Sequence, residues 1–155
     1  MGWFLTGRRP SAWRQWAEVV WRDPATLKFI GDMPHTWVAS DFLRSVLDFF
    51  AYEREADSTL VVGDGLLGSW VDDSAGVSVA NFSTHYGLLS YSMRGAGDTV
   101  RVRLSGVRVP PCGIVVRSPR ERPVRIATLN GEAVPVADGR EVVIRQVPAE
   151  VTLSY

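Results

Sequence analysis

The chain has 155 residues, with 17 basic and 17 acidic side chains and a hydrophobic fraction of 46%. That is enough for one ordinary globular domain, or for a domain plus an appendage. A zero net charge argues against a nucleic-acid binder or a binder of anionic membrane, both of which need a basic excess. A single cysteine, Cys112, excludes an internal disulfide and a cysteine-built metal cluster.

From the N-terminus, Trp3 to Leu5 is too short an apolar run for a signal peptide, and Arg8 and Arg9 follow it instead of leading it. No stretch approaches the ~20 apolar residues of a membrane span. The expectation is a cytoplasmic location if the chain is complete.

Ser11 can cap a helix that starts at Ala12, with Trp13, Trp16, Ala17, Val20 and Trp21 on one face. Asp23-Pro24 ends it and opens a short turn through Phe29, and Gly31 to Pro34 is a break. Thr36 caps a second helix, from Trp37 to about Tyr52, with Val38, Phe42, Val46 and Phe49/Phe50 as its apolar stripe.

At about Ser58 the period changes from helical to alternating. Strands are expected at Thr59–Val62, Val77–Val79, Leu89–Met93, Val100–Leu104, Ile114–Val116, Val124–Leu129, Val142–Ile144 and Val151–Leu153. Leu66–Val71 reads as a strand or a loop. Asn130-Gly131 is a strong hairpin turn signal. Short strands at roughly ten-residue spacing, with no helical pattern between them, predict a sandwich. The fold class expected is therefore α+β: N-terminal helices (1–57) packed on an antiparallel β-sandwich (58–155).

Candidate chemistry is sparse. His35, His85 and Cys112 lie far apart, without a second ligand at i+2 to i+4, so no zinc site is expected. Asp64, Asp72 and Asp73 are calcium-type oxygens, and a solvated turn is the simpler reading. Gly68-Ser69-Trp70 lacks the second glycine of a nucleophile elbow, and Cys112 reads as a small side chain in a tight turn. Arg117, Arg120, Arg122 and Arg125, with Glu121 among them, read as a solvated hairpin. Asp32 and Asp41 flank the second helix's start, and Asp41 is best explained as a first-turn carboxylate favoured by the helix dipole. No catalytic residue and no cofactor is assigned.

The segment from Asp32 to Trp37 gathers a carboxylate, an imidazole, a hydroxyl and an indole at one helix start. Asp32, His35 and Trp37 are the candidate sugar-binding residues, since indole faces pack on sugar rings and polar groups bind hydroxyls. The simpler alternative is a Thr36 cap and a core tryptophan. The six tryptophans, three of them at helical spacing, are more than a helix pair can bury, which leaves an apolar patch for a partner.

Three stretches, taken together, resemble a known arrangement. They are Gly31–Trp37 leading the helix that ends in Phe50-Ala51-Tyr52-Glu53; Val77 to Tyr91; and Pro110–Arg117 with Thr128–Val134. The set is similar to the C-terminal region of large bacterial glycoside-hydrolase-like proteins with an (α/α)6 barrel, in which the last barrel helices run into a terminal β-sandwich. The resemblance covers roughly residues 31 to 155, and Cys112 stands where a second glycine is expected. It implies a non-catalytic terminal module with a structural or partner-binding role. The partner implied is the missing catalytic barrel, or a second copy through the tryptophan-rich helices, with carbohydrate as ligand and no nucleic acid or membrane. His35 and Trp37 would lie near the rim of the parent's sugar cleft. The alternatives are a free-standing carbohydrate-binding module and a small hydrolase using Asp32, His35 and Asp41.

Overall fold

The computed structural model describes Ala25, Thr26 and residues 36–155, with side chains from residue 39 onward in the second stretch. The expected first helix and its tryptophans, the turn through Phe29, the break at Gly31 to Pro34, and Asp32 and His35 lie outside the described residues. So does the side chain of Trp37. The chain divides into two compact units, Met1–Val46 and Leu47–Tyr155.

Helix α1 spans Thr36–Leu47. Ser45 Oγ donates to the Asp41 carbonyl at 2.7 Å, a back-bond typical of serine within a helix. Leu43 and Leu47, one turn apart on one face, are 60% and 49% exposed. The helix stops five residues short of the expected end at Tyr52. The Phe50 amide closes a tight turn on the Leu47 carbonyl (2.9 Å), and Ala51–Arg54 then forms strand β1. Tertiary pairing overrides helical periodicity here. Ala51 is buried opposite Val62, and the Phe49 and Phe50 carbonyls accept from Gly65 and Gly63. A side chain at Gly65 would collide with the Phe49 backbone and ring, so the close approach requires glycine.

The remaining strands are β2 (Thr59–Val62), β3 (Val77–Thr84), β4 (Gly87–Ala96), β5 (Thr99–Ser105), β6 (Ile114–Arg117), β7 (Ile126–Leu129), β8 (Glu132–Val134), β9 (Glu141–Ile144) and β10 (Ala149–Ser154). The ambiguous segment at Leu66 resolves as a one-turn helix, α2 (Gly68–Val71), which buries Val71. The strands form two sheets, ordered β1-β2-β6-β9 and β3-β4-β5-β10-β7-β8.

Their inner faces share one apolar core. Ala51, Leu60, Val62, Ile114, Val116, Val142 and Ile144 come from the first sheet; Leu89, Met93, Val100, Val102, Leu104, Val151 and Leu153 come from the second. A β-rich, sandwich-like body is thus the part of the expected architecture that the structure shows.

The expectation of an all-antiparallel sandwich needs one correction, because β2 and β6 pair in parallel. The chain between them travels through β3, β4 and β5 of the other sheet, long enough to return in the same direction. Both strands are buried on both faces: Val61 and Val115 point away from the core residues and are also fully buried. This explains why Leu60-Val61-Val62 and Ile114-Val115-Val116 are continuous apolar runs instead of alternating ones.

The Asn130-Gly131 signal is a real turn. Both residues have positive φ (52° and 92°), as a two-residue hairpin of the primed type requires, and β7 pairs with β8 across it. The Asn130 side chain accepts from the Glu150 amide at 2.8 Å, which ties the turn to β10.

Candidate functional site: an arginine face on the larger sheet

Strand β5 alternates with a strict period of two. Val100, Val102 and Leu104 are buried, while Thr99 is partly covered and Arg101, Arg103 and Ser105 are exposed. Register then fixes what stands beside the two arginines. On β4, Arg94 lies opposite Arg101 and Ser92 opposite Arg103. On β10, Thr152 lies opposite Arg101 and Glu150 opposite Arg103. Ser78 of β3 lies opposite Ser92. Cross-strand partners share a face, so the outer surface of β3-β4-β5-β10 is a field of arginines and hydroxyls.

The field is concave. Ser78, Ser92, Arg94, Thr99, Arg101 and Arg103 line a depression of about 390 Å³. Arg103 Nε donates to Glu150 Oε2 at 2.7 Å, and Arg101 Nε reaches Glu150 Oε1 at 3.5 Å. Arg94 Nη2 donates to the Ala75 carbonyl at 3.0 Å. One carboxylate therefore serves two guanidiniums, and the third rests on a backbone carbonyl. The hydrogen bond from Arg103, reinforced by the charges of Arg103 and Arg101, holds the Glu150 carboxyl below the usual carboxylate range.

Four arginines elsewhere in the sandwich are matched to carboxylates. Arg54 pairs with Asp57 and Glu141, Arg117 with Asp64 and Glu141, Arg120 with Asp72 at 2.5 Å, and Arg122 with Asp98 at 2.6 Å. Among the described residues, only on the β4–β5 surface do two arginines stand directly opposite each other in register, an arrangement that destabilises a sheet.

Among the residues singled out in the sequence, Asp41 is exposed on α1 but lies beyond its first turn, which holds no acidic residue, so the expected first-turn carboxylate is corrected. Trp37 lies in the first turn of the same helix. His85 is exposed in the β3–β4 turn, where its amide donates to Glu53 Oε1 at 2.8 Å and its ring stands edge-on to Tyr86. Cys112 is an exposed free thiol.

The three candidate calcium carboxylates are engaged separately. Asp64 takes Arg117 and the Tyr52 hydroxyl (2.9 Å), Asp72 takes Arg120, and Asp73 accepts from the Ala75 amide. Among the described residues no group of three or more His, Cys, Asp or Glu side chains comes together as a metal site.

The expected solvated hairpin at Arg117–Arg125 is corrected. Strand β6 pairs with β2 and β9 while β7 pairs with β10 and β8, so the intervening loop crosses from one sheet to the other. Arg120 and Arg122 lie over the Tyr155 ring, at 4.8 and 5.0 Å from its centroid, and the Tyr155 hydroxyl meets Ser118 Oγ at 2.6 Å. These arginines clamp an aromatic ring through cation–π contacts.

Alternation along Val100–Leu104 puts Arg101 and Arg103 on the outward face but does not put them beside Arg94. That juxtaposition depends on the β4–β5 register, to which the clean alternation of β5 was the one available pointer. Compared with known proteins, the chain matches no family model, no curated protein and no solved structure.

Proposed function

We propose that the chain is a glycan-binding module of the kind that ends a glycoside-hydrolase-like protein, with the arginine and hydroxyl face of β3-β4-β5 as its binding surface. The observation that carries this reading is the depression on that face. Its lining is mixed: Val77, Met93 and two alanines stand among Ser78, Ser92, Thr99 and the three arginines, and these polar groups suit sugar hydroxyls and acidic substituents. The order of the three sequence stretches that resemble such proteins supports the same assignment. On this reading the chain has an α+β build, and its helical N-terminal segment makes contact with the rest of the protein or with a second copy. The exposed Leu43 and Leu47 on α1 support that partner-binding role.

The module binds and does not cleave. Titrating the full chain with a panel of neutral and acidic oligosaccharides, by calorimetry, should give saturable binding of at least one. Product analysis of the same mixtures should show no hydrolysis. Failure of the whole panel to bind, or release of reducing ends abolished by Asp41→Asn, contradicts the reading.

A further inference from the structure

The chemistry of the β4–β5 surface narrows the class of glycan. Arg94 and Arg101 stand directly opposite each other, and Arg103 lies beside them on β5. Arg101 and Arg103 are 60% and 65% exposed, and the single Glu150 is shared between them. Two like charges in cross-strand register cost stability, and against that cost stand one hydrogen bond from Arg94 to the Ala75 carbonyl and one long ion pair from Arg101 to Glu150. An anion laid between them turns that repulsion into paired attraction.

Guanidinium is suited to this role because its planar fork takes carboxylate or sulfate by two parallel hydrogen bonds. The arginines are also spaced for more than one anionic group. Successive outward residues on a strand lie ~7 Å apart and neighbouring strands ~5 Å apart. A single small anion fills one of these positions; a chain with repeated charges spans them.

The neutral groups of the face decide between the polyanions. Ser78, Ser92 and Thr99 line the depression and Thr152 stands beside Arg101. Hydroxyls complement sugar hydroxyls. No aromatic ring lines the depression. A binder of single-stranded nucleic acid is expected to offer rings on which bases stack, and a binder of neutral glycan relies on rings that pack against sugar faces. This surface offers charge and hydroxyls.

We infer that the ligand of this face is an acidic oligosaccharide, an extended glycan with repeated carboxylate or sulfate groups, bound by Arg94, Arg101 and Arg103; this rests on the glycan-binding reading above.

The test is a calorimetric titration of the full chain with four probes: an oligogalacturonate, a sulfated heparin-derived oligosaccharide, a neutral cello-oligosaccharide and a single-stranded oligothymidylate. At least one acidic glycan should bind and the neutral one should not, with affinity falling as salt screens the charges. Preference between the two acidic probes tells carboxylate from sulfate. Arg94→Gln and Arg101→Gln should each weaken binding at least about tenfold, while Arg122→Gln, outside the face, should not. Melting curves establish that each variant is folded. Arg94 serves as the second variant should Arg101→Gln fail to fold, because its hydrogen bond is to a backbone carbonyl and not to Glu150.

Equal binding of neutral and acidic glycans overturns the inference but keeps the glycan surface. Tighter binding of the oligothymidylate reassigns the face to nucleic acid. Absence of binding by every glycan removes both the inference and the reading on which it rests.

Discussion

At the scale of single residues, each side chain's environment sets a distinct expectation. Tyr52 lies partly buried with its hydroxyl donating to Asp64, and burial first, then that carboxylate, pushes its pKa up to about 12. The folded value exceeds the ordinary value of 10, so the protonated phenol contributes stability that is complete below pH ~10 and is lost as pH rises through about 12. Tyr52→Phe should remove this alkaline component from the pH–stability curve, and ultraviolet difference titration should lose one late-ionising tyrosine. Retention of the full titration would place the shifted group elsewhere.

Core and surface leucines should differ sharply. Leu60 is fully buried between the sheets and Leu88 is 53% exposed. Leu60→Ala should cost ~2–5 kcal/mol of unfolding free energy, and Leu88→Ala within about 0.5 kcal/mol of zero, both measured by chemical denaturation.

At the scale of elements, the strands were largely legible because burial on one face leaves a period of two. Val100 to Leu104 is the clearest case, with inward valines and leucine and outward arginines. The Asn130-Gly131 turn was legible because few residue pairs adopt positive φ at both positions. Gly131, at φ 92°, should tolerate a side chain poorly: Gly131→Val should lower stability by more than ~1 kcal/mol. Open space surrounds that position, so the loss would be conformational strain and not a clash.

What the sequence concealed was non-local. Val46, Phe49 and Phe50 keep helical spacing, yet the chain turns at Leu47 because β1 pairs with β2 and Gly63 and Gly65 receive the backbone there. The parallel β2–β6 pair, and the placement of Arg94 against Arg101, likewise depend on partners far away in the chain. No local pattern encodes either.

At the scale of the whole molecule, a balanced net charge hides an uneven surface. Among the described residues, four arginines are matched by carboxylates around the loops and the smaller sheet, whereas Arg94, Arg101 and Arg103 share one outer face on which Glu150 pairs with the latter two. Composition could not reveal this, since topology alone brings β4 and β5 together. Asp32 and His35, suggested first by the sequence, lie outside the described residues, and the arginine face of the sandwich is a separate hypothesis.

The proposed role of Arg94, Arg101 and Arg103 is to hold a ligand at some cost in stability. Its most direct test is binding of an acidic oligosaccharide by the wild-type chain and by Arg94→Gln side by side, with each protein's melting temperature recorded. Binding by the variant should be at least about tenfold weaker, equivalent to ~1.4 kcal/mol, with a melting temperature equal to or above that of the wild type. Unchanged affinity, or a variant that binds poorly only because it has lost its fold, would contradict it.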